Sequence, residues 1–252
     1  MKRPFLSIVI PAYNEVGNLK RKVLDDVYSY LSKQSYTWEI LVVDDGSTDK
    51  TREMVKTFIG RKKNIRLLSE PHRGKGGTVI AGMLAATSEI IVFTDMDQAT
   101  PIHQLEKILP KFSEGYDVAI GSRNGRDGAG WKRKIMAYGF MILRTVVLRL
   151  PFNDTQCGFK GFTRKASSEI FKRMQLFNDK RVEAGSAVTA GFDLELLFIA
   201  RKLKFKIAEV PVTWKDVGDR GGFGVNPIKD SWDGLKDLIG VRVNAMKGKY
   251  NI

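Results

Sequence analysis

Two aspartates one residue apart, Asp95 and Asp97, close the apolar run of "EIIVFTDMDQATP" (89–101). In an extended chain residues i and i+2 share a face. The spacing therefore turns both carboxylates one way and Met96 the other. Paired acids at a strand end either repel one another or share a cation. With two histidines and one cysteine in the chain, a structural zinc site is nearly excluded. A cation here would be a hard, oxygen-bound one.

Other polar clusters carry comparable chemistry. "IPAYNE" (10–15) offers Tyr13, whose ring can cover a base, and Glu15, whose carboxylate can accept from base N–H or ribose hydroxyl groups. "VVDDGSTDKT" (42–51) offers Asp44 and Asp45, the first suited to holding a turn and the second to a ligand. "HRGKGG" (72–77) lacks the GxxxxGK[ST] spacing of a P-loop. It reads as a glycine-rich turn into a helix, with Arg73 and Lys75 as solvated charges.

These clusters need elements to bring them together. The β-branched runs "LSIVIPAY", "WEILVVDDG", "IRLLSE", "EIIVFTD" and "DVAIGS" alternate with segments of helical pattern at about 15–33, 48–60, 75–87 and 101–113. Such order predicts an α/β fold with a mostly parallel sheet and helices on both faces. Ligands then sit at the carboxyl ends of the strands, where all these polar clusters fall. Thr100 before Pro101 predicts a helix N-cap, and Ser47 or Thr48 another. Beyond Arg123 follow a basic and apolar helix at about 131–150, a strand in "GFKGFTR", a helix in "FDLELLFIARKL" and a strand in "KIAEVPVTW". A glycine-rich loop, "GDRGGFGVNP", precedes a terminal amphipathic helix near 228–246. The expected organisation is one domain over 1–252, with a nucleotide-binding half (1–122) and an acceptor and membrane-facing half (123–252).

Charge and composition narrow the partners. The formal charge of +14 asks for an anionic one. Between Arg123 and Arg149 seven bases face one acid, Asp127. No helix-turn-helix, RNA-recognition or zinc-finger signature is present, and acids along the ligand edge would repel a phosphate backbone unless metal intervened, so nucleic acid is not expected. The single cysteine, Cys157, excludes an intrachain disulfide and suits a reducing compartment. "IMAYGFMILRTVVLRL" (135–150) is interrupted by Arg144 and Arg149 and falls short of the roughly 20 residues a membrane span needs. The opening stretch runs straight into a strand-like segment, with no leader pattern.

"IPAYNE", "VVDDGSTDKT", "RGKGG" and "DMD" in this order, with "GSR" (121–123), "DTQCGFKGFTR" (154–164), "FDLELLFIARK" (192–202) and "EVPVTW" (209–214), resemble the inverting family-2 glycosyltransferases of GT-A fold. Within them the chain is most similar to the polyprenyl-phosphate group, the dolichyl-phosphate β-glucosyltransferases foremost and the dolichyl-phosphate mannose synthases next. The resemblance covers about residues 5–215.

It implies that Asp95 and Asp97 hold Mg2+ or Mn2+ on the diphosphate of a nucleotide-sugar, with Asp97 the direct ligand and Asp95 on ribose or metal. It places Pro11, Tyr13, Glu15, Val43, Asp45 and Met96 around the donor. Ala99 stands where mannose synthases carry glutamine, with Gln98 one residue earlier. A third protein ligand is therefore not given, and water can take its place. Arg123 and Arg133 match residues that meet the acceptor phosphate. Asp154 matches an aspartate that serves as catalytic or positioning carboxylate, with Asp193 its rival. Arg220 matches a loop residue closing on the donor diphosphate, and Lys229 is the nearest replacement for a partnering lysine.

The implied reaction moves a hexose to a polyprenyl phosphate. That acceptor carries about −1.5 to −2 charge, so a strong base is not compulsory. UDP-glucose is the favoured donor and GDP-mannose the alternative. The helices at 131–150 and 228–246 are expected to lie on an anionic membrane surface, their arginines snorkelling while apolar neighbours bury. That makes a peripheral protein on the cytoplasmic face. A non-catalytic scaffold is the reading from another class, opposed by Asp95, Asp97, Arg123 and Arg133 all being in place.

Overall fold

The computed structural model describes residues 3–60, 62–123, 131–176, 191–215, 217 and 227–252, with the side chains of 131–137, 140 and 227–233 left out. Seven strands form one sheet: β1 (Leu6–Ala12), β2 (Trp38–Asp45), β3 (Ile65–Glu70), β4 (Ile90–Phe93), β5 (Val118–Arg123), β6 (Lys160–Thr163) and β7 (Ile207–Val212). Their order is β3-β2-β1-β4-β6-β5-β7. All neighbouring pairs are parallel except those of β6, which runs antiparallel between β4 and β5. Strands from both halves of the sequence thus share one sheet.

Nine helices are described: α1 (Val16–Lys20), α2 (Val23–Ser32), α3 (Thr51–Ile59), α4 (Gly74–Ala85), α5 (Leu105–Ser113), α6 (Trp131–Leu148), α7 (Arg164–Phe171), α8 (Gly191–Lys202) and α9 (Pro227–Met246). Strand periodicity sorts the core into two layers. On one face Val9, Leu41, Val43 and Phe93 meet Val79 and Met83 of α4, Phe171 of α7, Leu197 of α8 and Val241 of α9. On the other, Ile8, Ile10, Ile40 and Val42 meet Leu24 and Leu31 of α2, Val55 of α3 and Ile108 of α5. Gly82 lets α4 lie flat on the sheet, because a Cβ there would come within 2.4 Å of a Val9 methyl.

Local expectations differ from the structure at several points. The segment 15–33 is two helices, broken where Lys22 takes a left-handed φ of 62°. Pro101 is extended (ψ 145°) and precedes a 3-10 turn, Ile102–Gln104, that leads into α5; Thr100 does not cap a helix, and its hydroxyl meets the Cys157 sulfur at 3.7 Å. Neither Ser47 nor Thr48 caps α3, which starts at Thr51. Ser47 Oγ accepts from the Asn14 N–H, and Asn14 Oδ1 accepts from the Thr48 N–H. Helix α7 had no sequence expectation; Thr163 caps it by accepting from the Ala166 N–H.

Candidate active site

The candidate site lies on the carboxyl edge of the sheet, in the turns after β1, β2 and β4 and the segment entering β6. Asp44 and Asp45 divide their work at the end of β2. Asp44, fully buried, accepts from Arg52 Nε and Nη2 at 2.8 and 2.7 Å and from the Ser47 N–H at 3.3 Å, which holds the turn into α3. Asp45 accepts from the Arg73 N–H at 2.8 Å, and its other oxygen lies 2.9 Å from His72 Nδ1. The His72 ring stacks on Tyr13, centroids 4.3 Å apart and planes 17° apart. Asp45, His72 and half-buried Tyr13 therefore join the ends of β1 and β2 to the start of α4. Pro11 is buried in β1, paired in register with Val43.

The two aspartates after β4 are not placed by strand alternation. The strand ends at Phe93, and residues 95–98 form a turn closed by the Gln98 N–H donating to Asp95 O at 3.2 Å. Gln98, the last residue of the turn, itself takes a left-handed φ of 52°. Asp97 Oδ1 accepts from the Ala99 N–H at 2.9 Å. Asp95 Oδ1 meets Lys75 Nζ at 2.5 Å. Lys75 is thus no solvated charge: it reaches from the first turn of α4 across the edge. Loss of solvent alone would lower its pKa, but the charges of Asp95, Asp193 and Asp97 outweigh that and raise it. Glu15 belongs to the same cluster. Burial foremost, then the charges of Asp97 and Asp95, push its carboxyl up against a lowering hydrogen bond from Asn18.

The segment before β6 packs against this cluster. Gly158 leaves room for Asp95 there, since a Cβ would lie 2.1 Å from its Oδ2 as placed. Lys160, fully buried, donates to Asp193 Oδ1 at 2.7 Å and to the Cys157 carbonyl. Burial raises the Asp193 carboxyl, with Lys160 opposing. Asp95, Lys75, Asp193 and Lys160 thus alternate in sign across the edge, with Asp97 a further negative charge near Lys75.

Arg123 and Asp154 occupy each other. Arg123 donates through Nε (2.6 Å), Nη2 (2.9 Å) and its backbone N–H (3.1 Å), and the Gln156 N–H adds a fourth bond to the carboxylate at 3.0 Å. Burial would raise Asp154, but the hydrogen bonds and charge of Arg123 hold it down to about 2. Such a carboxylate is a weak base. Glu209 of β7 fixes the segment by accepting from the Asp154 N–H at 2.8 Å. Arg144 of α6 does so too, donating to Thr155 Oγ1 at 2.8 Å and to the carbonyls of Phe152 and Asn153. Arg144 is buried, so it does not snorkel.

Two residues expected around the donor are placed in the core instead. Val43 is fully buried against α4, and Met96 is 2% exposed in the opposite layer. Arg133 lies on α6, but its side chain is outside the described residues, as is Arg220 altogether. Sequence reasoning missed His72, Lys75, Lys160 and Gly158. Lys160 carried a signal, a lysine inside the apolar run "GFKGF". The others depend on contacts made across the sheet edge.

The donor set fits a hard cation in part. Asp95 and Asp97 offer carboxylate oxygens, and Gln98 Oε1 is buried without a hydrogen-bond partner. Among the described residues no three His, Cys, Asp or Glu side chains cluster as ligands. A cation held here would complete its shell from other oxygens, such as phosphate or water. No helix among the described residues is long and apolar enough to cross a membrane.

Comparison with known proteins gives concordant results. The profile of glycosyl transferase family 2 matches residues 7–171. A dolichyl-phosphate β-glucosyltransferase of Trichomonas vaginalis is 36% identical over 231 residues, 85% of this chain and 65% of that protein. Those of Dictyostelium discoideum and Homo sapiens are each 32% identical over 98% of this chain, covering 77% and 78% of their own lengths. The chain thus spans just under two thirds of the first relative and over three quarters of the other two. Among solved structures, glucosyl-3-phosphoglycerate synthase of Mycobacterium tuberculosis with Mn2+, UDP and glucosyl-3-phosphoglycerate superposes with a TM-score of 0.64 at 17% identity, covering 95% of this chain and 80% of that one. A mannosyltransferase of Pyrobaculum calidifontis with GDP-Man and Mn2+ gives 0.59 at 18%, covering 98% and 65%. These likenesses are of fold, the GT-A fold expected from the sequence. With the profile spanning well over half of its length and relatives above 30% identity along nearly all of it, the chain belongs to glycosyl transferase family 2.

Proposed function

We propose that the protein transfers glucose from UDP-glucose to a dolichyl-type polyprenyl phosphate, with inversion, using Mg2+ or Mn2+ at Asp95 and Asp97. The observation that carries this reading is the pairing of Asp95 with Lys75, beside Glu15 and Asp97, in a chain 32% identical over 98% of its length to dolichyl-phosphate β-glucosyltransferases. Acids for a cation and a lysine for phosphate oxygens stand together where a diphosphate would lie. The neighbours solved with Mn2+ support the metal.

In this reading Asp95 and Asp97 would hold the cation, which would supply positive charge against the departing diphosphate. Tyr13, with His72 behind it, covers the base, and Glu15 and Asp45 bound the nucleoside pocket. Gln98 Oε1 is the protein's remaining oxygen for the cation. Arg123, its fork held by Asp154, turns its free N–H groups to the acceptor phosphate; Arg133 and Arg220 are assigned to acceptor and donor phosphates on the family resemblance. An acceptor oxygen forms the bond to the anomeric carbon as the bond to UDP breaks on the opposite side. The acceptor is already anionic, so no proton has to be removed, which suits an Asp154 that stays ionised. The chain works as a single domain, peripheral on the cytoplasmic leaflet.

Calorimetric titration with UDP-glucose and GDP-mannose in Mn2+ tests the donor assignment. UDP-glucose should bind, and binding should be lost in EDTA and weaken about tenfold or more in Asp97→Ala, the usual cost of losing a charged partner. Tighter binding of GDP-mannose would overturn the choice of donor.

A further inference from the structure

The two helices beyond the site edge leave an apolar surface uncovered. On α6, Tyr138, Ile142 and Val146 recur every fourth residue and are 62%, 46% and 72% exposed. On α9, Ile239, Val243 and Met246 follow at spacings of four and three and are 51%, 37% and 76% exposed. Residues at this spacing share one helix face. The stripes belong to one corner of the molecule, since α6 packs on α9 and α9 on α8. Scattered apolar residues on a surface need no explanation, whereas aligned stripes on adjoining helices mark a contact surface.

A cation lies next to each stripe. Arg149 lies three residues past Val146, and Arg242 lies three past Ile239. With Arg201 and Lys202 from the last turn of α8, they line a cavity of about 270 Å³ that includes Leu148 and Phe198. All four cations are exposed. No carboxylate among the described residues pairs with any of them. Among the described residues Lys202 Nζ has the Phe198 ring beside it, 5.8 Å from the centroid. The cavity is separate from the candidate active site. Asp193 opens α8 at the site, and Arg201 is eight residues on, about 12 Å along the axis.

We propose that this corner is a second lipid site, distinct from the acceptor site, in which Arg149, Arg201, Lys202 and Arg242 seat the phosphate of an anionic phospholipid headgroup while the α6 and α9 stripes enter the leaflet. Charge complementarity selects the occupant: four cations that no described carboxylate pairs converge on one cup, rimmed by side chains that gain by leaving water. Free phosphate would satisfy the cup but not the stripes. An acidic protein would satisfy the charges without needing Val146 or Met246. The inference rests on the proposed function only in taking the protein to work at a membrane, and its test does not use transfer activity.

Flotation with phosphatidylcholine vesicles, with and without phosphatidylserine, reads the interaction. The wild-type chain should bind the phosphatidylserine vesicles and not the neutral ones. Arg149→Gln, Arg201→Gln, Lys202→Gln and Arg242→Gln together should lower partitioning by about three orders of magnitude, given the usual contribution of each base near an anionic leaflet. Lys20→Gln, Lys33→Gln, Lys50→Gln and Lys56→Gln together remove the same charge from another face and should cost far less. Val146→Ser with Met246→Ser should abolish the part of the binding that survives high salt. Equal losses in the two charge variants would overturn the proposal, reducing it to the overall charge of the chain. A wild type that ignores phosphatidylserine vesicles would overturn it outright. So would a dimer in gel filtration that Val146→Ser with Met246→Ser dissociates, since the face would then be a subunit contact. Transfer to a short, water-soluble polyprenyl phosphate should survive all of these changes. Its absence in the wild type would count against the proposed function and leave the vesicle result standing.

Discussion

The Arg123 guanidinium lies against the Asp154 carboxylate through Nε at 2.6 Å and Nη2 at 2.9 Å, with the Arg123 backbone N–H adding a third bond. Paired in this way, Asp154 titrates at about 2 rather than 3.8. Its folded pKa is the lower one, so it adds stability above the unfolded value and loses it as pH falls from about 4 to about 2. A shift of this size corresponds to about 2 kcal/mol. Asp154→Asn should therefore unfold more easily in urea near neutral pH, and its deficit should shrink towards pH 2. The activity of the wild type should show no step near neutrality from this carboxyl. A pH–rate step that vanishes in Asp154→Asn would contradict the assignment.

Glu195 behaves in the opposite sense. It is fully buried and accepts from the N–H groups of Gln175 (2.9 Å) and Leu176 (3.0 Å) and from the Tyr250 hydroxyl (2.9 Å). Burial still wins, lifting it from 4.5 to about 6. The folded state then holds its proton more tightly than the unfolded state. Stability should fall by about 2 kcal/mol as pH rises from about 4.5 to about 6, and stay at the lower level above. Thermal melts across that window should lose this slope in Glu195→Gln.

Gly158 offers a steric test of the acidic cluster. The methyl of Gly158→Ala would meet the Asp95 carboxylate at 2.1 Å. Overpacking costs about 1–3 kcal/mol where neighbours can shift, and Asp95 is the neighbour that must move. Mn2+ affinity, read by paramagnetic resonance, should drop about tenfold or more while circular dichroism is retained. Unchanged affinity would separate Asp95 from the metal.

Arg144 and Arg149 stand five residues apart on the same basic stretch, yet their surroundings differ. Arg144 is 5% exposed and holds Thr155 and the carbonyls of Phe152 and Asn153. Arg149 is exposed. Arg144→Ala should cost about 3 kcal/mol, as for a buried charge-assisted network, and Arg149→Gln should stay within about 0.5 kcal/mol. Chemical denaturation of the two variants gives the comparison.

The sheet was legible because its central strands, β1, β2 and β4, are buried along nearly their whole length and separated by helical segments, so run length and order sufficed. Asp95 and Asp97 were legible as residues and not as geometry. Strand alternation was carried past Phe93, where backbone pairing stops and a left-handed Gln98 takes over. Lys75 read as solvated because its partner is 20 positions away and approaches only once α4 lies on the sheet. Arg144 read as a snorkelling cation because the carbonyls that receive it come from an irregular segment without periodicity. The short α7, "RKASSEIF", carries little apolar content outside its buried face and left no periodic signal.

The reaction proposed for this protein is a β-glucosyl transfer that depends on a cation at Asp95 and Asp97. The most direct measurement incubates the protein with UDP-glucose, a polyprenyl phosphate and Mn2+, and determines the sugar and anomeric configuration of the lipid product by mass spectrometry and NMR. A β-linked glucosyl phosphate lipid, absent in EDTA and in Asp97→Ala, is the expected result. An α-linked product, a mannolipid formed only from GDP-mannose, or glucolipid made equally well in EDTA would contradict it.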